Sequence, residues 1–503
     1  MATGGNAVDA AIAADAVLGV VLPDTCGIGG DLFVLAHLPG MAQPFALNAS
    51  GRAGSGVDPT MMRGRGLRAL PYRDPWTITV PGCVDGWEAL TRYGNLGLAA
   101  VLAPAIAIAL DGFSVSAELA ASLEALLPTI GDRPSAADLY PNGVPPAAGA
   151  RLHRPLLART LIELGSDGRD AFYLGGPGEG ITAATAGAVT KADLAQAQAD
   201  WVEPIGLDVL GLRAWTMPPN SQGYLTLAAL RVFEQLDPPR DPQTPEYQHL
   251  LIEAYRSLAW ERDDLATDPD TAPLPPDRLL AGADLAKRAA AIDPDSANVW
   301  PRPSAAPGGT AYLCTRDTEG IGVSFIQSNF GGIGSGNSAG ATGVWLHNRG
   351  AGFNLTEGHP NELAPGRRPL HTLSPTLWTR GDDLVMLLGT RGGHQQPQFL
   401  IQAAAARLWA GFAPEAALAF PRWTIDDFGS GTRSTLVVED RMPAGVLEGL
   451  RRRGHDVRTA ASWMEGWGPV SLIDLDPHLV GAADPRVSTT AAFAAFAGAP
   501  NEP

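Results

Sequence analysis

Behind Asn6, alanine and valine recur at helical spacing as far as Val21, and Pro23 closes the run. With Asp9 three residues on, Asn6 predicts the cap of a buried helix. The next segment, CGIGGDLFVLAHL, predicts a glycine-rich turn feeding a strand, and DPWTITVPG from Asp74 predicts a second strand closed by Pro–Gly. Helical patterning dominates from Ala99 to Leu127 and again through the 180s to 260s, as in YQHLLIEAYRSLAWERDDLA.

The pattern changes at Thr310. TAYLCT and GIGVSFIQS are two β-rich runs joined by RDTEG, which predicts a hairpin. A turn centred near Thr318 or Glu319 makes facing residue numbers sum to about 638. Thr310 then lies across from Gln327 or Ser328, which places a second hydroxyl beside the threonine. Directly upstream, PRPSAAPGG (301–309) carries three prolines and two glycines, and this excludes regular structure. The chain thus sets a loose tether immediately in front of Thr310.

With 503 residues and 45 % apolar content, the chain has enough for one large domain or about two to four smaller ones, and wholesale disorder is excluded. Its 59 glycines and 43 prolines, about a fifth of the total, mark it as loop-rich without low complexity. A net charge of −17 and the lack of any long basic run argue against nucleic-acid binding. The apolar stretch LGLAAVLAPAIAIAL from Leu96 is shorter than the roughly 18 residues of a membrane span and contains Pro104, so it predicts a buried helix. MATGGNAVDAA has no basic leader, and Cys26, Cys83 and Cys314 fit neither a disulfide framework nor a metal site. The expectation is a cytoplasmic protein without a membrane partner.

No G-x-S-x-G elbow, P-loop or H-E-x-x-H occurs. GSGNSA from Gly334 fits a dinucleotide pattern, but no helical pattern follows it. In GTRGGHQQPQ, Gly392 and Gly393 read either as a tight turn or as two backbone N–H groups freed for an oxyanion. His371 and Thr372 in RRPLHTLSPT, and Arg52 in NASGRAG, each read as structural or as ligand-lining.

Together these segments resemble the γ-glutamyltranspeptidase family of N-terminal-nucleophile hydrolases over nearly the whole chain. The resemblance rests on GGNAVDAAIAADAVLGVVLPDTCGIGGDLFVL, NASGRAG, VPGCVDGWEAL and the ordered block GGTAYLC, SNFGGIGSG, LHNRGAGFNL, APGRRPLHTLSPT and GTRGGHQQPQ. It implies an α+β fold, the four-layer αββα sandwich of that class. It also implies self-cleavage between Gly309 and Thr310. Residues 1–309 would form a large subunit and 310–503 a small one, intertwined as one folding unit. Thr310 would be nucleophile and, through its freed amine, base. Gly392 and Gly393 would hold the oxyanion, and Ser328 would contact the nucleophile. Arg52 would grip an acyl carboxylate, with His371 and Thr372 at substrate-binding positions. No cofactor or metal is implied. The expected partners are a small-molecule amide or peptide and the two fragments of the chain itself, with a homo-oligomer left open.

Three positions depart from the family pattern. Where γ-glutamyl enzymes hold the substrate ammonium, this chain has Arg349 and Gly352, and Phe330 replaces an asparagine. An arginine repels an ammonium, so Arg52 and Arg349 suit an acyl group with a carboxylate and no amine, of glutaryl or oxamate type. The family also carries a segment ahead of GGNAVDAA, so the start looks truncated. Two rival readings are a processing-deficient homologue with a binding or structural role, and a dinucleotide-dependent oxidoreductase built on GSGNSA.

Overall fold

Asn6 caps the first helix, Ala7–Val21, as its spacing predicts. Its side chain accepts from the N–H groups of Val8 and Asp9, and the Asp9 carboxylate accepts from the Asn6 N–H. The computed structural model describes residues 1–301, 309–427 and 435–488. Most of the proline-bearing tether, residues 302–308, lies outside the described residues.

Two antiparallel sheets form the centre. The first runs in the order Asp200–Val202, Phe45–Ala49, Asp31–His37, Gly322–Phe330, Gly309–Arg316. The second runs Val480–Ala483, Val470–Asp474, Asp383–Thr390, Thr376–Arg380, Leu212–Thr216, Ile205–Val209. The period of two sends alternate residues of Asp31–His37 to opposite faces. Phe33 and Leu35 pack between the sheets with Ile326, Trp215, Leu377 and Leu387. Leu32, Val34 and Ala36 pack outward against the first helix and helices Cys83–Leu90, Leu98–Asp111 and Pro155–Asp167. On the far side, Trp378, Met386 and Leu388 meet helices Tyr224–Gln235, Pro245–Ala259 and Gln396–Ala404. The layers are therefore helix, sheet, sheet, helix: the αββα sandwich. Each sheet takes strands from both sides of residue 310.

The hairpin register agrees with the turn arithmetic, since Ala311 faces Gln327, Tyr312 faces Ile326 and Cys314 faces Ser324. Two sequence expectations are corrected. DPWTITVPG is no strand: Pro75–Thr77 is a 3-10 turn and the remainder is extended without a ladder, because Pro75 and Pro81 cannot donate. The helical stretch of the 180s to 260s is interrupted by three strands between Asp200 and Thr216, each too short for a periodicity window to resolve. GSGNSA lies in turns with no helix behind it, which removes the dinucleotide reading. The Leu96 stretch forms the helix Leu98–Asp111, with Pro104 inside it. Among the described residues, no helix is long and apolar enough to cross a membrane.

Candidate active site

The two strands slip by one residue at the start of the hairpin: Gly309 pairs with Phe330, and the regular register resumes at Ala311. Thr310 occupies the slip and is 2 % exposed. Its Oγ1 donates to Ser328 Oγ at 3.1 Å. Ser328 Oγ in turn donates to the Gly309 carbonyl and accepts from the Phe330 N–H at 2.8 Å. One buried hydroxyl therefore bridges the Thr310 hydroxyl and the carbonyl of the peptide bond just ahead of it. Phe330 has a left-handed backbone (φ +69°), unusual for a bulky residue, and this turns its ring toward Tyr72, with centroids 5.6 Å apart.

Arg349 also packs on that ring, its guanidinium carbon 3.5 Å from the centroid. The side chain is 1 % exposed, and among the described residues only Nη1 has a hydrogen-bond partner, Thr372 Oγ1 at 3.1 Å. Nε and Nη2 are buried without one, and no carboxylate forms an ion pair with it among the described residues. Burial draws its pKa down to about 10, against the pull of Tyr72 and Asp31, so it stays charged at neutral pH. Gly352 explains how it fits. A Cβ there would stand 2.8 Å from Arg349 Nη2 and 2.8 Å from the Leu370 carbonyl. The guanidinium thus fills the space that a side chain at 352 would need.

Gly392 and Gly393 follow the strand Asp383–Thr390 with φ of +130° and +55°, a turn that glycine makes without strain. Their N–H groups have no acceptor among the described residues. The Gly393 carbonyl accepts from Gln222 Nε2 at 3.0 Å, and the same nitrogen reaches the Thr372 carbonyl at 3.0 Å. His394, next in the chain, stacks on Phe330 with centroids 6.4 Å apart. Contacts through Phe330, Arg349, Thr372 and Gln222 thus connect the Thr310 hairpin to the glycine turn.

His371 and Arg52 are engaged elsewhere. His371 Nδ1 accepts from the Leu373 N–H at 3.3 Å, so its proton sits on Nε2, which faces Asp31 Oδ2 at 3.1 Å. Burial holds the imidazole down to about 4, and it is neutral at pH 7. Asp31 faces Ser328 in the ladder and also accepts from the N–H groups of Gly51 and Gly82. Burial alone would raise its carboxyl, but His347 and His371 beside it more than offset this and keep it ionised. Arg52 forms an ion pair with Asp200 at 2.7 Å, and Arg368 reaches the same carboxylate at 2.8 Å. Asp31 and Gln222 escaped the sequence reading. Asp31 left a trace, a charge opening an otherwise apolar strand, whereas Gln222 left none.

The buried imidazole predicts acid lability. A folded pKa near 4 lies below the ordinary 6.5, so the folded state binds fewer protons than the unfolded chain between those values. Its contribution is full above pH 6.5 and is lost as pH falls toward 4. His371→Gln keeps a donor toward Asp31 without titrating. Its stability, followed by urea unfolding, is expected to fall less over that window than the wild type's, by on the order of 2 kcal/mol.

Apart from this site, His249, Glu253 and His455 bring ligand-type atoms within 4.8 Å of one another. Those atoms are already hydrogen-bonded: the two imidazoles to each other at 2.8 Å, and Glu253 to Asn298, Trp300 and Arg256.

The sandwich is that of the N-terminal-nucleophile hydrolases, and solved structures agree. Cephalosporin acylase from Bacillus halodurans superposes with a TM-score of 0.90 at 33 % identity, over 98 % of this chain and 92 % of that one. The Gamma-glutamyltranspeptidase family model matches residues 1–494, and the chain belongs to that family. A Bacillus subtilis (strain 168) relative, the glutathione hydrolase-like YwrD proenzyme, is 35 % identical over 96 % of this chain and 93 % of its own length. The oxamate amidohydrolase proenzyme of Klebsiella pneumoniae is 34 % identical over 97 % and 94 %. The chain is an enzyme of this hydrolase and transferase group.

Proposed function

We propose that the protein is a self-processing amidohydrolase. In this reading Thr310 Oγ attacks the Gly309 carbonyl carbon, its proton passes to Ser328, and Ser328 passes its own to the carbonyl oxygen. As the C–N bond breaks, that proton moves from the oxygen to the Thr310 nitrogen, which leaves an ester on Thr310 Oγ and a free α-amine. Water then hydrolyses the ester to release residues 1–309 from 310–503. The freed amine, with an ordinary pKa of about 7.7–8.0, takes the Thr310 hydroxyl proton during attack on a substrate amide. The N–H groups of Gly392 and Gly393 receive the oxyanion, the proton leaves with the amine, and water clears the acyl-enzyme.

The acyl group is proposed to carry a carboxylate and no amine, of oxamate or glutaryl type. The observation that carries this is the charged, buried Arg349, which has two N–H groups without partners. Leaving such a charge unpaired costs roughly 3–5 kcal/mol, which a bound carboxylate offsets. Two relatives are named for related chemistry, an oxamate amidohydrolase and a cephalosporin acylase. Arg52, already held by Asp200, is left out of the clamp. The test compares oxamate and the glutaryl, γ-glutamyl and pentanoyl amides of one amine. The glutaryl amide or oxamate is expected to exceed the pentanoyl amide in kcat/KM by roughly 10²-fold. Equal turnover of the pentanoyl amide would overturn the carboxylate reading.

A further inference from the structure

Gln222 is fully buried just ahead of the helix Tyr224–Gln235, and both hydrogen bonds that its side chain donates go to the site. Its backbone N–H donates to the His371 carbonyl at 3.0 Å, and its Nε2 donates to the carbonyls of Thr372 and Gly393, both at 3.0 Å. The orientation of the amide is fixed by these partners, because a flipped amide would set its oxygen against two carbonyl oxygens. Thr372 is the residue on which Arg349 rests, and Gly393 is one of the two glycines with free N–H groups. Gripped by its carbonyl, Gly393 is held without its N–H being consumed.

We propose that Gln222 is a positioning residue that sets the Gly392–Gly393 turn against Thr372 and the Arg349 it carries, so that carboxylate and oxyanion are held in one frame. The proposal rests on the amidohydrolase reading above. Two variants of the full chain test it, with the glutaryl amide as substrate. Gln222→Met donates to neither carbonyl, and its kcat is expected to fall about 10²-fold at every pH. Gln222→Glu donates once when protonated and repels both carbonyls when ionised. Its kcat relative to wild type is therefore expected to drop as pH rises, a dependence absent from Gln222→Met. Both variants are expected to self-cleave, since Ser328 and not the glycine turn touches the Gly309 carbonyl. The proposal is overturned if either variant stays uncut, if kcat stays within about threefold of wild type, or if the Gln222→Glu ratio is flat with pH. A wild type that neither cleaves nor hydrolyses would instead refute the Thr310 reading.

Discussion

Arg349→Met is expected to lower kcat/KM toward a carboxylate-bearing amide by about 10²–10⁴-fold, since a charge-assisted hydrogen bond contributes about 1.5–3 kcal/mol and two are lost. Turnover of a neutral amide of the same length is expected to hold, because the hydrogen bond of Arg349 goes to Thr372 and its ring contact to Phe330, not to Thr310, Ser328 or the glycine turn. The same substitution is expected to raise the melting temperature of the free protein. It removes a buried charge with two unpaired N–H groups and puts an apolar side chain against Phe330. Activity and stability moving in opposite directions is the signature of a residue kept for its ligand. If Arg349→Met melts lower and hydrolyses both amides equally poorly, the arginine serves packing alone.

Ser328→Ala is expected to slow self-cleavage by about 10²–10³-fold, the usual cost of losing one donor to a developing oxyanion. The serine completes three hydrogen bonds at once, from Thr310 Oγ1, from the Phe330 N–H and to the Gly309 carbonyl. Alanine leaves the Phe330 N–H buried without its acceptor, so some stability is lost too. The two effects are separable: a time course of intact mass reads the cleavage, and urea unfolding reads the stability. Cleavage at the wild-type rate in Ser328→Ala would remove the proton path through Ser328.

What the sequence disclosed depended on how local the cause was. The Asn6 cap, the strand from Asp31 and the hairpin register all follow from neighbours a few residues apart, and so the pairing of Thr310 with Ser328 was legible. The strands between Asp200 and Thr216 were not, because runs of three to five residues leave no period to read. The two arginines make the same point at the site. Both looked like carboxylate clamps, but the fold brings Asp200 to Arg52 from 148 residues away, and among the described residues no acid forms an ion pair with Arg349. Whether a buried cation has a partner is a property of tertiary packing. The Gln222 bridge is of the same kind, spanning 150 residues to Thr372 and 171 to Gly393.

The claim on which the rest depends is that Thr310 cuts the chain ahead of itself. Intact mass under denaturing conditions, for freshly purified wild type beside Thr310→Ala, measures it directly. The account predicts two fragments in the wild type, 1–309 and 310–503, and one uncut chain in the variant. A wild type that stays whole, or a variant that splits at the same bond, would contradict it.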